Sequence, residues 1–268
     1  FYAMNDSAKI ALITGAAKRL GQAIALEMAL AGWDIAIHCG KSIQEAELTA
    51  QQIRALGRRV TVIQADLADQ EDLERVLPQC IAQLGIPSCL INNASIFSYD
   101  DPQTVLAKDI HAHMAVNLTA PLILSKSYYD AWKTQPTKSS AIGVIIHVLD
   151  QKLDNMNPDF FSYTLSKAAL ESAMHMQAMS FAPFLRVVGI APGITLVSGD
   201  QTAEGFQKAH QQTPLGRSSL PSDIAKGVCY LATANAVTGT TLYVDGGQHL
   251  QAINRDIMFL TDLPTKEI

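Results

Sequence analysis

Short apolar runs of strand length alternate with stretches of helical periodicity along most of the chain. Ile10–Thr14 is a β-run, and a helical stretch follows from about Lys18 to Ala31. Ile35–His38 repeats the strand signal, before a helix over Ile43–Leu56 that Gly57 ends. Val60–Gln64 and Cys89–Asn92 are the third and fourth strands, followed by helices over Asp69–Leu84 and from about Thr104 to Trp132. Ile142–Leu149 is the fifth strand and Tyr163–Phe181 the helix after it; Arg186–Ile190 and Thr241–Val244 are the sixth and seventh strands. Strands apolar on both faces, alternating with helices of roughly 10–15 residues, predict βαβ units and a parallel sheet covered by helices on both sides. No Pro/Gly/Ser-rich linker interrupts the alternation and no long repeat appears, so one α/β domain is expected. The stretch from Val197 to Ser219 is polar and carries little pattern, which reads as a mobile substrate loop.

Composition narrows the class. Of 268 residues, 48% are apolar and 17% charged, enough to build a substantial core and far from the balance of a disordered chain. The net charge of -5, without a block of Lys/Arg, offers no electrostatic footprint for nucleic acid or an anionic membrane, and neither is expected as a partner. The longest apolar runs, such as Ala141–Val148, fall well short of the ~20 residues of a membrane span. Phe1-Tyr2-Ala3 is expected to be a short remnant ahead of a native Met4, with residues 4–268 as the domain and no signal peptide. Cys39, Cys80, Cys89 and Cys229 form no C-x-x-C, and the histidines, His111 and His113 among them, form no ligand set, so no metal is expected. Three of the cysteines sit in apolar segments and read as buried free thiols, which fits a cytoplasmic location.

Ligands of an open parallel sheet bind beyond the carboxyl ends of the strands, where the first turn meets a helix N-terminus. Here that turn is Thr14-Gly15-Ala-Ala-Lys18-Arg19-Leu20-Gly21. Gly15 allows the sharp exit from the strand, and the helix start is placed to receive a pyrophosphate. A site for NAD carries Asp or Glu at the end of the second strand to bind the ribose 2′-hydroxyl. This strand ends His38-Cys39-Gly40-Lys41-Ser42, with no carboxylate, and Lys41, Ser42 and Arg19 are suited to a 2′-phosphate. The alternative is that Lys41 and Arg19 are solvated helix-start residues. Beside the glycine turn we take the phosphate reading and expect NADPH. Asp66, in Ala65-Asp66-Leu67 at the end of the third strand, suits either the adenine amine or a helix N-cap.

Tyr163-Thr-Leu-Ser-Lys167 puts a phenol and an ammonium on one helix face, directly after a strand whose end carries Asp150. A phenol of ordinary pKa ~10 is a poor acid at neutral pH, and a nearby cation favours its ionised form. Lys167 and an oxidised nicotinamide both push that way, making Tyr163 a proton donor for hydride transfer. Pro121 has no N–H, so the Asn117 carbonyl loses its helical partner; it either holds a water linked to Lys167 or marks a kink that only packs the helix.

These motifs together resemble the short-chain dehydrogenase/reductase family over nearly the whole chain. The matches are the glycine turn, Asn92-Asn93-Ala94 after the fourth strand, Asn117, Tyr163-x-x-x-Lys167, and Pro192-Gly193 after the sixth strand. The resemblance implies a single-domain, doubly wound, seven-stranded Rossmann fold, usually tetrameric. It implies that Leu20, Leu67, Asn93, Ala94, Pro192, Gly193 and Ile194 join the residues above at the cofactor, and that the helix carrying Met174, Met176 and Met179 packs at a subunit interface. Two departures narrow the likeness. Arg19 stands where most members have a third glycine, and Asp150 stands thirteen residues before the tyrosine, where most have serine. Both changes, with His38, Lys41-Ser42 and Asn92-Asn-Ala-Ser-Ile-Phe97, are similar to the pteridine reductases and the bacterial dihydromonapterin/dihydrofolate reductases. By that likeness Phe97 stacks on the pterin, and Arg19 and Ser95 contact substrate or cofactor phosphates.

The chemistry agrees. A serine hydroxyl suits a carbonyl substrate, because it donates to the developing oxyanion. Reducing a pterin C=N bond instead needs a proton on ring nitrogen, which Asp150 with a raised pKa can deliver or relay with Tyr163. A flat Phe97 suits a flat heterocycle. Against these stand a structural strand-end aspartate and a core phenylalanine. Val197 occupies the place of a threonine that touches the nicotinamide in many relatives, with Thr195 two residues earlier, which weakens that one contact. The tail from Gly246 to Ile268 is expected to reach a neighbouring subunit or to be disordered. The leading expectation is an NADPH-dependent pterin reductase. A short-chain carbonyl reductase is the first alternative, and a non-catalytic NADPH-binding protein the second.

Overall fold

The chain builds β1 (Ile10–Ile13), α1 (Arg19–Leu30), β2 (Asp34–Cys39), α2 (Ile43–Ala55), β3 (Val60–Gln64), α3 (Gln70–Leu84) and β4 (Cys89–Asn92). There follow α4 (Ala107–Met114), α5 (Ala120–Lys133), β5 (Gly143–Val148), α6 (Phe161–Ser180) and β6 (Leu185–Pro192). The last elements are α7 (Ala203–Gln211), α8 (Pro221–Thr233), β7 (Thr241–Val244) and α9 (Ile257–Thr261). This computed structural model describes residues 9–135, 142–197 and 201–261, so the three residues before Met4 and the last seven of the tail lie outside it. The seven strands form one sheet in the order β3-β2-β1-β4-β5-β6-β7, parallel throughout, which is the expected doubly wound single-domain Rossmann fold.

Strand residues alternate between two cores. Ala11, Ile13, Ile35, Ile37, Ile91 and Ile146 face one side, where α1, α2 and α8 bring Ile24, Met28, Ile53 and Val228. Leu12, Ala36, Leu90, Ile145 and Val187 face the other, against Val76, Leu124, Tyr128, Leu170 and Met174. Each wholly buried aliphatic side chain stabilises the fold by roughly 1.5–3 kcal/mol, which is why both strand faces must be apolar. Cys39, Cys80 and Cys89 are free thiols in these cores, and burial pushes the Cys80 thiol up to about 12.

Three differences from the sequence pattern have local causes. The helix expected from Thr104 to Trp132 is broken: between α4 and α5 the chain winds as a π-helix over Ala115–Thr119, and the Ala120 amide reaches back five residues to the Ala115 carbonyl. Pro121 provides no N–H at the point where α-helical bonding would require one. The Val197–Ser219 segment holds α7, whose start is capped by the Thr202 hydroxyl accepting from the Gly205 amide (3.0 Å). Helix α8 lies where the strand-and-helix pattern marks no element, although Pro221 at its first turn, Asp223 accepting from the Leu220 amide and the spacing of Ile224, Val228 and Leu231 are legible signals. Of the α6 methionines, Met174 belongs to the core, whereas Met176 and Met179 are exposed. Among the described residues no helix is long and apolar enough to cross a membrane, and no group of side chains is placed to hold a metal.

In this strand order β1 lies between β2 and β4, so the chain winds away from β1 in both directions. A crevice opens at such a reversal, beyond the carboxyl ends of the strands. The functional residues lie around it.

Candidate active site

A cleft of about 1070 Å³ gathers the expected residues Gly15, Arg19, Leu20, His38, Lys41, Asp66, Leu67, Asn93, Ala94, Ser95, Phe97, Asp150, Tyr163, Lys167, Pro192, Gly193 and Ile194. Ser42 and Asn117 are not part of its wall. Ser42 is the N-cap of α2 and makes no side-chain cap bond.

Gly15 leaves β1 with φ of 64°, the left-handed conformation that glycine adopts without penalty. The turn is tied to β4: Asn93 Nδ2 donates to the Thr14 and Gly15 carbonyls (2.9 and 3.1 Å), and Thr14 Oγ1 accepts from the Asn93 and Ala94 amides (3.0 Å each). Gly21 packs so closely that a Cβ there would lie 2.2 Å from the Gly15 carbonyl oxygen and 2.6 Å from Asn93 Nδ2. Gly21→Ala is therefore expected to cost about 2 kcal/mol and to lower the melting temperature by roughly 4–8 °C. An unchanged thermal melt would show that the turn tolerates the methyl group.

Arg19 adopts φ of 56°, so a side chain sits where the backbone favours glycine, at a cost of roughly 1–2 kcal/mol. Its Nη2 donates to the Val197 carbonyl (2.9 Å). The first turn of α1 contains no acidic residue and its N-cap, Lys18, supplies no side-chain bond, so the helix start is left free for an anion. His38 is buried and spends both ring nitrogens inside the protein: Nδ1 accepts from the Gly15 amide (3.2 Å) and Nε2 bonds the Ala65 carbonyl (3.1 Å). Burial lowers its pKa and keeps the ring neutral, so His38 braces the first turn against β2 and β3 rather than offering charge to a phosphate. Asp66 does the work of a turn aspartate, its Oδ1 accepting from the Ala68 amide (2.9 Å), while it also lines the cleft.

At the inner wall, Tyr163 Oη donates to Asp150 Oδ2 (2.8 Å), and Asp150 Oδ1 accepts from the Lys152 amide (2.8 Å). Burial pushes the Asp150 carboxyl above the usual carboxylate range. Burial, and then the Asp150 carboxylate, push the Tyr163 phenol well above its ordinary value. This corrects the expectation that Lys167 lowers the phenol. Lys167 Nζ donates to the Val148 carbonyl (2.8 Å) and lies 5.7 Å from the Tyr163 ring centroid, and burial brings its pKa down to about 8. The phenol's direct partner is thus an acid, and the pair retains a proton at neutral pH.

Asn117 is wholly buried beneath this pair. Its Oδ1 accepts from the Ile96 amide (2.8 Å) and the Ser95 hydroxyl (3.1 Å), and its Nδ2 donates to the Ile96 carbonyl (3.0 Å) and Ser166 Oγ (3.1 Å). Ser166 in turn donates to the Tyr163 carbonyl (2.6 Å). The side chain therefore joins the β4 loop to α6. Phe97 leans into the cleft, edge-on to Tyr163 (4.8 Å) and stacked on Phe160 (4.1 Å). After β6, the Thr195 hydroxyl donates to the Gly193 carbonyl (2.9 Å) and bonds Ser219 Oγ (2.7 Å), while the Ile194 amide donates to Gln248 Oε1 (3.2 Å).

Sequence reasoning missed Lys152 and the whole C-terminal contribution. As far as Thr261 the tail folds back on its own chain, and Gln248, Gln251, Ile253, Asp256, Ile257 and Met258 line the cleft. No periodic signal marks so short a segment, and only its distance in sequence hid it.

Residues 15–249 match the family model described as enoyl-(acyl carrier protein) reductase. Two solved structures are similar: FolM alternative dihydrofolate reductase 1 from Brucella suis in complex with NADP is 36% identical with a TM-score of 0.86, covering 92% of this chain and 98% of that one. The same-named protein from Brucella canis, complexed with NADP, is 35% identical with a TM-score of 0.83, covering 91% and 95%. The 2-dehydro-3-deoxy-D-gluconate 5-dehydrogenase of Escherichia coli is 30% identical over 246 residues, 89% of this chain and 94% of that protein.

Proposed function

The chain belongs to the short-chain dehydrogenase/reductase family, and from that premise we propose that it is an NADPH-dependent reductase of a pterin, a dihydropteridine or dihydrofolate. The observation that carries the reading is the Tyr163–Asp150 bond: an acidic carboxyl stands beside the phenol where a ketone reductase needs a neutral hydroxyl donor. The NADP in the two FolM structures supports the cofactor assignment.

The residues fit such a cofactor. The uncapped start of α1 with Lys18 and Arg19 suits the pyrophosphate, and Lys41 beside the end of β2, with no carboxylate there, suits a 2′-phosphate. Asn93, Ala94, Pro192, Gly193 and Ile194 would flank the nicotinamide end. When bound, the reduced nicotinamide supplies a hydride to the carbon of the C=N bond. Tyr163 then delivers its proton to the ring nitrogen, and Asp150, held protonated more readily than an ordinary carboxyl, restores or shares it. Lys167, anchored on the Val148 carbonyl, keeps a positive charge near the phenol below about pH 8. Phe97, backed by the buried Phe160, provides a flat apolar face for a heterocycle. Asn117 holds the Ser95–Ile96 segment in register with α6, and its carbonyl, facing Pro121 in sequence, is the point where a water would join the proton path. The same reading makes the protein one subunit of a homotetramer, to which the exposed Met176 and Met179 of α6 are suited.

The test is NADPH oxidation with dihydrobiopterin, dihydromonapterin, dihydrofolate, biopterin and an acetoacetyl thioester, repeated with NADH. Turnover of dihydropterins is expected, with kcat/KM for NADPH about tenfold or more above that for NADH. Turnover of the thioester alone would make the protein a carbonyl reductase. No turnover of any substrate would favour a cofactor-binding protein without catalysis, and equal use of both cofactors would remove the 2′-phosphate assignment.

A further inference from the structure

The loop that carries Asp150 is fastened to the C-terminal tail at one buried carboxylate. Asp159 is 2% exposed, and its Oδ2 accepts two bonds from the tail, from Arg255 Nε (2.8 Å) and from the Asp256 amide (2.7 Å). Lys152, two residues after Asp150, donates from Nζ to the Asp159 carbonyl (2.5 Å) and pairs with Asp256 Oδ2 (3.4 Å). The cluster contains two acids and two cations and is closed on itself. Although burial pushes Asp159 up, the Arg255 and Asp256 bonds hold it below the usual carboxylate range. Aromatic rings continue the attachment: Phe259 packs on Phe160 (6.0 Å) and Tyr99 (5.2 Å), with the Arg255 guanidinium over its other contacts 5.1 Å from the ring centroid. Phe160 is the same buried ring that stacks behind Phe97, which lines the cleft.

We propose that the segment 251–261 is a fixed wall of the substrate end of the cleft, and that Asp159 and Arg255 are positioning residues that set substrate affinity by holding that wall. The inference rests on the reading of the cleft as a pterin site. Ile253, Asp256, Ile257 and Met258 face the cleft directly, so whatever binds beside Asp150 and Phe97 meets them. Tyr163 and Lys167 are carried by α6, and their bonds to Asp150 and to the Val148 carbonyl involve no tail residue. The guanidinium is half-exposed, and without it Asp159 keeps its bond from the Asp256 amide, so its loss opens the wall locally.

The experiment compares the full chain with its Arg255→Ala and Arg255→Lys variants. In Arg255→Ala, KM for the dihydropterin is expected to rise about tenfold, with kcat and KM for NADPH within about twofold of the parent and the lysine variant recovering part of the loss. Hydrogen exchange of the 256–261 amides, measured without substrate, is expected to quicken about tenfold in Arg255→Ala while that of β1 and α1 does not change. Substrate KM unmoved, a parallel rise in both KM values, or unaltered exchange at 256–261 would overturn the proposal. Should the parent reduce no pterin, the functional reading fails; the wall is then judged on the KM of the thioester if that is reduced, and on the exchange result in either case.

Discussion

Tyr163→Phe is expected to lower kcat/KM for a dihydropterin by roughly 10³-fold, within the 10²–10⁴ that a positioned general acid supplies. The phenol lines the cleft, and its hydroxyl donates to Asp150 Oδ2. Because burial and the Asp150 carboxylate hold its proton on well above the ordinary value, the loss should appear in kcat rather than in KM. The sign of the pH dependence follows from Lys167. Its charge is present below about 8 and disappears as the pH rises through that value, so the parent enzyme should show a falling limb there. A fully active phenylalanine variant would remove the phenol from the chemistry.

Asp150→Ser is expected to cut pterin reduction by about 100-fold or more while leaving reduction of an acetoacetyl thioester unchanged or raised. The serine restores the hydroxyl that a developing oxyanion needs and removes the acid that a ring nitrogen needs. Asp150→Asn is the companion variant: its amide oxygen keeps an acceptor for Tyr163, yet the group carries no exchangeable acidic proton, so kcat falls and substrate KM stays. Equal loss on pterin and thioester would mean that Asp150 serves only to hold the strand end, where its Oδ1 caps the following turn through the Lys152 amide.

Much of the molecule was readable as local pattern. Each of the seven strands lies where an apolar run lies, and the helices before β5 begin and end within a few residues of the periodic stretches. The glycine turn and the Tyr163–Lys167 spacing needed only neighbours in the chain. The second half of the chain was harder: α7 has only nine residues, and its buried stripe is made of the small Gly205 and Ala209, which an apolar run does not mark. A disturbance of the helix at Pro121 was legible, but the π-winding over Ala115–Thr119 and the groups that Asn117 holds were not.

By itself the order of residues determined an all-parallel α/β sheet, a glycine turn opening the first helix with no carboxylate at the end of β2, and an acid in the place of a hydroxyl. Tertiary structure alone decided the partners. The thirteen-residue spacing put Asp150 beside Tyr163, but only the fold shows their bond, and Asp159 meets Arg255 across ninety-six residues, where no spacing rule applies. It also made His38 a brace between the first turn and β3 and folded the tail onto the cleft. Charge at a site is set by what packing removes from water and places alongside, and both are properties of the assembled fold.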